Sequence, residues 1–288
     1  MKKRIVTIAL VIALLATCFA GTYAYLTDID SVANTMTLGN VQIKQNEYQR
    51  VVNADGTYAT ATVDNRTSYV LETYEDGKPL YPIVGDPNEP GDSPAFADWD
   101  SITVRMSQVG SYGGMQVFAG KNAQDKFVTV TNTGKTDAYV RTIVAIEVGS
   151  STKALVGKAD RGCDVDKAAT DTAPWVRYEA GTIEIKGSKY RVIEYVYRGA
   201  ETSSGWVHQN GVLPAEETTY PSFAQIYLKH NATNEDMTKL DGNGNGKLDI
   251  LVLSQAVQTA GWDDAKTALD TAFGTVAANA ATWLGDIA

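Results

Sequence analysis

Residues 241–250 read DGNGNGKLDI. Asp241, Asn243, Asn245 and Gly246 match positions 1, 3, 5 and 6 of an EF-hand-type calcium loop, in which oxygen ligands at alternate positions surround the cation and glycine makes the sharp turn. Asp249 falls at position 9. Position 12 requires a bidentate carboxylate and is occupied by Val252, and the residues after Lys247 read as a buried strand where a calcium loop leads into a helix. The tolerance of Gly and Asn for positive φ explains the same residues as a plain hairpin turn. Two readings follow: a turn alone, or a turn that doubles as a weak calcium site at Asp241, Asn243, Asn245 and Asp249. No other cofactor is expected.

The remaining chemistry-bearing residues are sparse. A zinc peptidase needs two histidines four residues apart plus an acid, to hold a metal open to water. This chain has two histidines in all, His208 in GWVHQNGV and His230 at the end of FAQIYLKH, and no HExxH. Cys163 lies between Asp160 and Asp164, and nearby acids raise a thiol pKa and quench its nucleophilicity. No GxSxG elbow is present. LPAEET (213–218) lacks the glycine of a sortase signal and reads as a loop, and Asp263-Asp264 suits the positive end of a helix better than acid–base catalysis. The chain reads as non-enzymatic.

Strand patterns dominate the elements around these residues. KFVTVTNT (126–133), DAYVRTIVAIEV (137–148), GTIEIKG (181–187), KYRVIEYVYR (189–198), FAQIYLKH (223–230) and KLDILVLSQAVQ (247–258) are rich in Val, Ile, Thr and Tyr and bounded by Gly, Asn and Asp. The runs 140–148 and 248–257 are apolar at both parities, which marks strands buried on both faces. Residues 46–125 read as a loop-rich insertion, with 46–83 an excursion from the main sheets and 84–94 an exposed Pro/Gly/Asp loop. Helices are expected over 261–274, where Trp262, Ala265, Leu269, Ala272 and Phe273 share a face and Gly274 closes the end, and over 151–160. Many strands and few helices predict an all-β fold, a jelly-roll-type antiparallel β-sandwich with a few short helices.

The first residues set the compartment. Lys2, Lys3 and Arg4 precede a run free of charge from Ile5 to Ala20, and Thr22-Tyr23-Ala24 places small residues at −3 and −1 of a cut between Ala24 and Tyr25. An uncleaved anchor and a lipidated Cys18 are the alternatives. The first lacks a basic stop-transfer cluster, and the second has Thr17 in a poor position. Residues 1–24 are therefore expected to be a signal peptide and 25–288 a single sandwich domain. The leader holds three of the 25 Lys and Arg and no acid, so cleavage leaves 22 cations against 34 anions, formally −12. Such a surface repels phosphate backbones and excludes nucleic acid as a partner. Only Cys163 remains, so no intramolecular disulfide can form.

GTYAYLTDIDSVANTMTLGNVQI (21–43) resembles the export signal and mature N-terminus of the TasA/camelysin family of Gram-positive surface proteins. It matches at Gly21, Thr22, Ala24, Asp28, Asn34, Thr37, Gly39, Asn40 and Val41. VTVTNTGKTDAYVRT (128–142) and VLSQAVQTAGWDDAKTALDTAFG (252–274) are similar to the strand–turn–strand and the C-terminal strand and helix of that family. The resemblance implies processing by a SipW-type signal peptidase and a secreted protein of the cell surface or extracellular matrix. It also implies fibres of a biofilm matrix, joined by other matrix proteins or polysaccharide. A camelysin-type secreted metallopeptidase and a surface adhesin or polysaccharide-binding module are the alternatives.

The residues around the cut support a β role of their own. Met36 and Leu38 share one parity and Val41 and Ile43 the other, so a bulge at Gly39-Asn40 would let both pairs face one core. Residues 25–44 are thus either an ordinary first strand or a donor strand, with Met36, Leu38, Val41 and Ile43 as its apolar contacts and a second copy of the chain as its partner.

Overall fold

Long runs of β-branched and aromatic residues form two packed sheets, and a C-terminal pair of helices covers the outer face of one of them. The computed structural model describes residues 26–29, 34–38, 41–63, 66–75, 79–80, 117, 124–148, 156–158, 174–202, 205–228 and 234–287. In chain order the strands begin with β1 (Leu26–Ile29), β2 (Asn34–Leu38), β3 (Ile43–Arg50), β4 (Thr60–Val63), β5 (Arg66–Tyr69), β6 (Leu71–Thr73) and β7 (Pro79–Leu80). They continue with β8 (Gln124–Asn132), β9 (Ala138–Glu147), β10 (Val156–Lys158), β11 (Trp175–Ile185), β12 (Ser188–Tyr197), β13 (Ala200–Thr202), β14 (Gly205–Val207), β15 (Phe223–Leu228) and β16 (Leu248–Gln258). The helices are α1 (Asn234–Leu240), α2 (Ala265–Phe273) and α3 (Val276–Gly285).

The fold is all-β with a few short helices, as the strand patterns predict. One sheet runs β11-β12-β9-β16-β1-β7, with β2 also on β16, and the other runs β10-β15-β8-β3-β6. Pairing is antiparallel except where β1 and β2 lie parallel to β16. Every residue of β9 is buried, and ten of the eleven in β16 are buried or nearly so. Val140, Val144 and Ile146 join Val128, Val130, Ile193, Phe223, Ile250 and Val252 between the sheets. The opposite parity, Ile143 and Ala145 with Leu251 and Leu253, packs on Val276, Ala280 and Leu284 of α3. Each fully buried Val, Ile or Leu contributes about 1.5–3 kcal/mol, which makes these two strands the backbone of the fold's stability.

Helix α2 takes the predicted face to the sheet: Ala265, Ala268 and Leu269 are buried against Tyr139, Val196 and Val257. Asp264 caps it by accepting from the Thr267 N–H at 2.7 Å, the role its place at the helix start implies. Gly274 ends it at φ 87°, ψ 170°, a positive-φ conformation without being left-handed helical, and a Cβ there would sit 2.5 Å from Asn279 Nδ2.

Two sequence expectations are corrected. The described part of 151–160 is not helix: Val156–Lys158 is β10, paired antiparallel to β15. Nor is 46–125 an insertion throughout. β3 pairs with β8 from Ile43↔Asn132 to Tyr48↔Phe127, and β6 pairs with β3, so residues 43–50 and 71–73 belong to the main sheet. Their polarity misled because the positions are filled by buried pairs. Arg50 grips Asp125 at 2.7 and 2.9 Å and stacks 3.7 Å over the Tyr58 ring, and Lys126 meets Glu47 at 2.8 Å. The exposed-loop expectation for 84–94 lies outside the described residues.

Candidate functional site

β16 has one edge fully used and one edge used by foreign-looking pieces. On one side it pairs antiparallel with β9 from Ile250↔Ile146 to Gln258↔Ala138. On the other, β1 pairs parallel at Asp28↔Leu248 and Ile29↔Asp249, and β2 pairs parallel from Asn34↔Leu253 to Leu38↔Val257. Parallel neighbours cannot be joined by a hairpin, so these segments are held to β16 by edge pairing and not by a local turn.

The other sheet edges are defended. β11 carries a register shift between Glu179 and Gly181, with Arg177, Glu179 and Arg191 paired across its surface. β6 and β10 have three residues each. Bulges, charges and short length are the devices that stop edges from templating further strands. Among the described residues, the β16 edge away from β9 pairs with the N-terminal segment alone.

Of the four donor-strand residues, Met36 and Leu38 lie in β2, Ile43 begins β3 and Val41 stands just before it. Met36 and Leu38 are in register with Gln255 and Val257. Those two face the helix layer: Gln255 accepts from Arg141 Nε at 2.7 Å and Val257 packs on α2. Val41 and Ile43, 1% and 7% exposed, lie instead in the core between the sheets. β2, which ends at Leu38, pairs in the sheet of β16, and β3, which begins at Ile43, belongs to the other sheet. Ser254 Oγ, which donates to Gln45 Oε1 at 2.6 Å, ties β16 to β3 at this crossing. The cleavage residues Ala24 and Tyr25 lie outside the described residues, as do His230 and Cys163. No helix among the described residues is long and apolar enough to cross a membrane.

The 241–249 loop joins α1 to β16. Asp241 accepts from the Asn245 and Gly246 N–H groups at 3.1 and 2.7 Å, Asn243 Oδ1 accepts from Asn245 N–H at 3.0 Å, and Asn245 Oδ1 from Lys247 N–H at 2.8 Å. Asn243 also donates to Asp249 Oδ2 at 3.3 Å. Gly246 sits at φ 79°, where side-chain-bearing residues are strained. The oxygens of all four predicted ligands thus meet in one loop, where backbone and side-chain N–H groups use them. Val252, at the position of the missing carboxylate, is buried between the sheets.

Glu147 is the residue that sequence reasoning missed. It is fully buried, and its carboxylate accepts from Gly242 N–H at 3.0 Å and Asp249 N–H at 3.2 Å, pinning both ends of the loop to β9. Burial pushes the Glu147 and Asp249 carboxyls above their usual range, and burial with these two acids nearby raises Tyr190. A lone acid inside the apolar run IVAIEV was the available signal. Arg141 is its counterpart on the same strand, bonded to Glu194 at 3.0 Å, Asp270 at 2.8 Å and the Gly274 carbonyl at 3.0 Å.

His208 is the one described histidine. Its Nδ1 meets Tyr197 Oη at 2.8 Å, Nε2 lies 4.0 Å from Glu217, and burial pushes its pKa down to about 4. A neutral, half-enclosed imidazole with a tyrosine partner holds the 208–211 turn against β12, a structural role.

These elements define a class: an all-β sandwich with a helix layer, in which the β16 edge away from β9 is closed by the chain's own N-terminal segment. No family model, no curated protein and no solved structure matches the chain.

Proposed function

We propose that this chain is an exported, non-enzymatic structural protein of a bacterial surface or biofilm matrix that assembles into fibres by strand donation between copies. The reading rests on the resemblance of residues 21–43 to the TasA/camelysin N-terminus, and one structural observation supports it. The β16 edge is closed by a segment in parallel register that no turn joins to it, so a strand from a neighbouring copy can make the same ladder. Repeating such a head-to-tail contact yields an open filament, because the contact does not close on itself. The separable donor segment is 26–38, since Val41 and Ile43 are committed to the chain's own core. Processing by a SipW-type peptidase frees that segment at Tyr25. Electron microscopy of the processed, secreted protein at rising concentration tests this: fibres are expected, and a monomer at every concentration would refute it.

A further inference from the structure

Three Asn–Gly steps occur in the chain, at 210–211, 243–244 and 245–246. At such a step the glycine nitrogen, with no Cβ beside it, can approach the asparagine Cγ, and a reaction within one chain gains from proximity. The three steps are held differently. Gly211 is buried, its N–H donates to the Arg198 and His208 carbonyls at 2.9 and 3.0 Å, and a Cβ on it would lie 2.3 Å from the Tyr197 carbonyl oxygen. Those carbonyls fix the nitrogen and are too weakly basic to take its proton. Asn243 ties its Nδ2, the group that would leave, to Asp249 Oδ2 at 3.3 Å. Asn245 stands apart. The Gly246 N–H that follows it donates to a carboxylate, Asp241 Oδ2, at 2.7 Å, and Asn245 Oδ1 accepts from the Lys247 N–H at 2.8 Å. Asn245 and Gly246 are exposed, and a Cβ built on Gly246 would meet no atom within 4 Å, so water reaches the step.

We propose that Asn245 is a self-modifying site that deamidates within its own loop, with Asp241 as general base and the Lys247 N–H as oxyanion donor. The Gly246 nitrogen bonds to Asn245 Cγ while its proton passes to Asp241, which lies within the reach a general base requires. Oδ1 gathers the negative charge against the Lys247 N–H, at the distance of an oxyanion-hole donor. The Cγ–Nδ2 bond then breaks, and the amide leaves as ammonia with the proton returned by Asp241. One water opens the remaining cyclic imide. Attack at the side-chain carbonyl gives aspartate, and attack at the main-chain carbonyl gives isoaspartate, whose backbone is one carbon longer. Either product adds a negative charge to a loop that already carries Asp241 and Asp249, at the junction of α1 and β16. Nothing in the chain reverses the change. In an exported protein it would accumulate with age, a consequence that rests on the proposed function, whereas the reaction itself does not.

Peptide mapping by mass spectrometry of the folded chain, incubated in mildly alkaline buffer, tests this. The amide-to-acid mass gain is followed at all three Asn–Gly steps, and isoaspartate is detected by enzymatic methylation. Asn245 is expected to convert first, to both products, and faster in the folded chain than in urea, where the loop geometry is lost. Asp241→Ser keeps an acceptor for the N–H groups and removes the base, so it should slow Asn245 at least about tenfold while Asn243 is unchanged. Earlier conversion of Asn210 or Asn243 would overturn the proposal. So would an Asn245 that reacts no faster folded than in urea, a comparison that stands even where Asp241→Ser impairs folding. Conversion in Asp241→Ser as fast as in the parent, or faster at both Asn243 and Asn245, would show that Asp241 only steadies the loop and would overturn it as well.

Discussion

Arg141 Nη1 donates to Asp270 Oδ1 across 2.8 Å, and this bond joins the middle of β9 to helix α2. The same guanidinium meets Glu194, which is 3% exposed, and the Gly274 carbonyl at the end of the helix. Removing it leaves Glu194 in the protein interior with only Lys266, at 3.3 Å. Arg141→Leu should therefore cost about 3 kcal/mol, as a buried pair broken on one side does. Urea unfolding measures it, and a change below about 0.5 kcal/mol would show that the cluster is dispensable.

His208 makes stability depend on pH with a definite sign. Its folded pKa of about 4 lies below the unfolded value of 6.5. Between those values the unfolded chain binds a proton that the native chain does not, so stability is full above 6.5 and falls as the pH drops through the window. Because solvent screens part of the charge on this half-buried ring, the loss near pH 4 is on the order of 1–2 kcal/mol. His208→Asn should flatten this part of the curve, because Asn tolerates the φ of 51° at this position and does not titrate. Stability profiles of the two proteins that run parallel from pH 7 to pH 4 would contradict the assignment.

Glu147 should prove an anchor for the loop after α1. Glu147→Ala removes the acceptor of the Gly242 and Asp249 N–H groups, and because Gly242 is exposed and Asp249 only half-buried, water replaces part of what is lost and the cost is about 1 kcal/mol. Hydrogen exchange at those two amides should rise well above that of the β9–β16 ladder. Unchanged protection at both would mean that the loop holds itself.

Calcium should shift the melting temperature by less than about 2 °C at millimolar concentration, the behaviour of a site that binds weakly or not at all. Asp241, Asn243 and Asn245 already accept N–H groups, and Val252 supplies no carboxylate. A shift of many degrees at micromolar calcium would show a site assembled from these oxygens after all.

Periodicity made the central strands legible. The runs 140–148 and 248–257, apolar at both parities, fall in β9 and β16, and the helix with Asp264 at its start and Gly274 at its end is α2. The same logic failed wherever buried charge replaced apolar side chains. β3 looked like a polar excursion because Arg50 and Glu47 find partners on β8 only after folding. At the parity flip before Val41, pattern alone does not distinguish a bulge in one strand from passage between two sheets. The loop oxygens at 241–249 were legible as a group, but Glu147, about a hundred residues earlier in the chain, reaches them only through the β9–β16 pairing.

The most direct test of the account is the fibre length formed by mature protein when a chain lacking residues 25–38 is mixed in. The shortened chain keeps the β16 acceptor edge and has no strand to donate, so alone it should remain a folded monomer that forms no fibres. Added to mature protein, it should cap growing ends, and mean length in electron micrographs should fall in proportion to the fraction added. Fibres of unchanged length and yield, from the mixture or from the shortened chain alone, would contradict strand donation and leave residues 26–38 as an ordinary part of the sandwich.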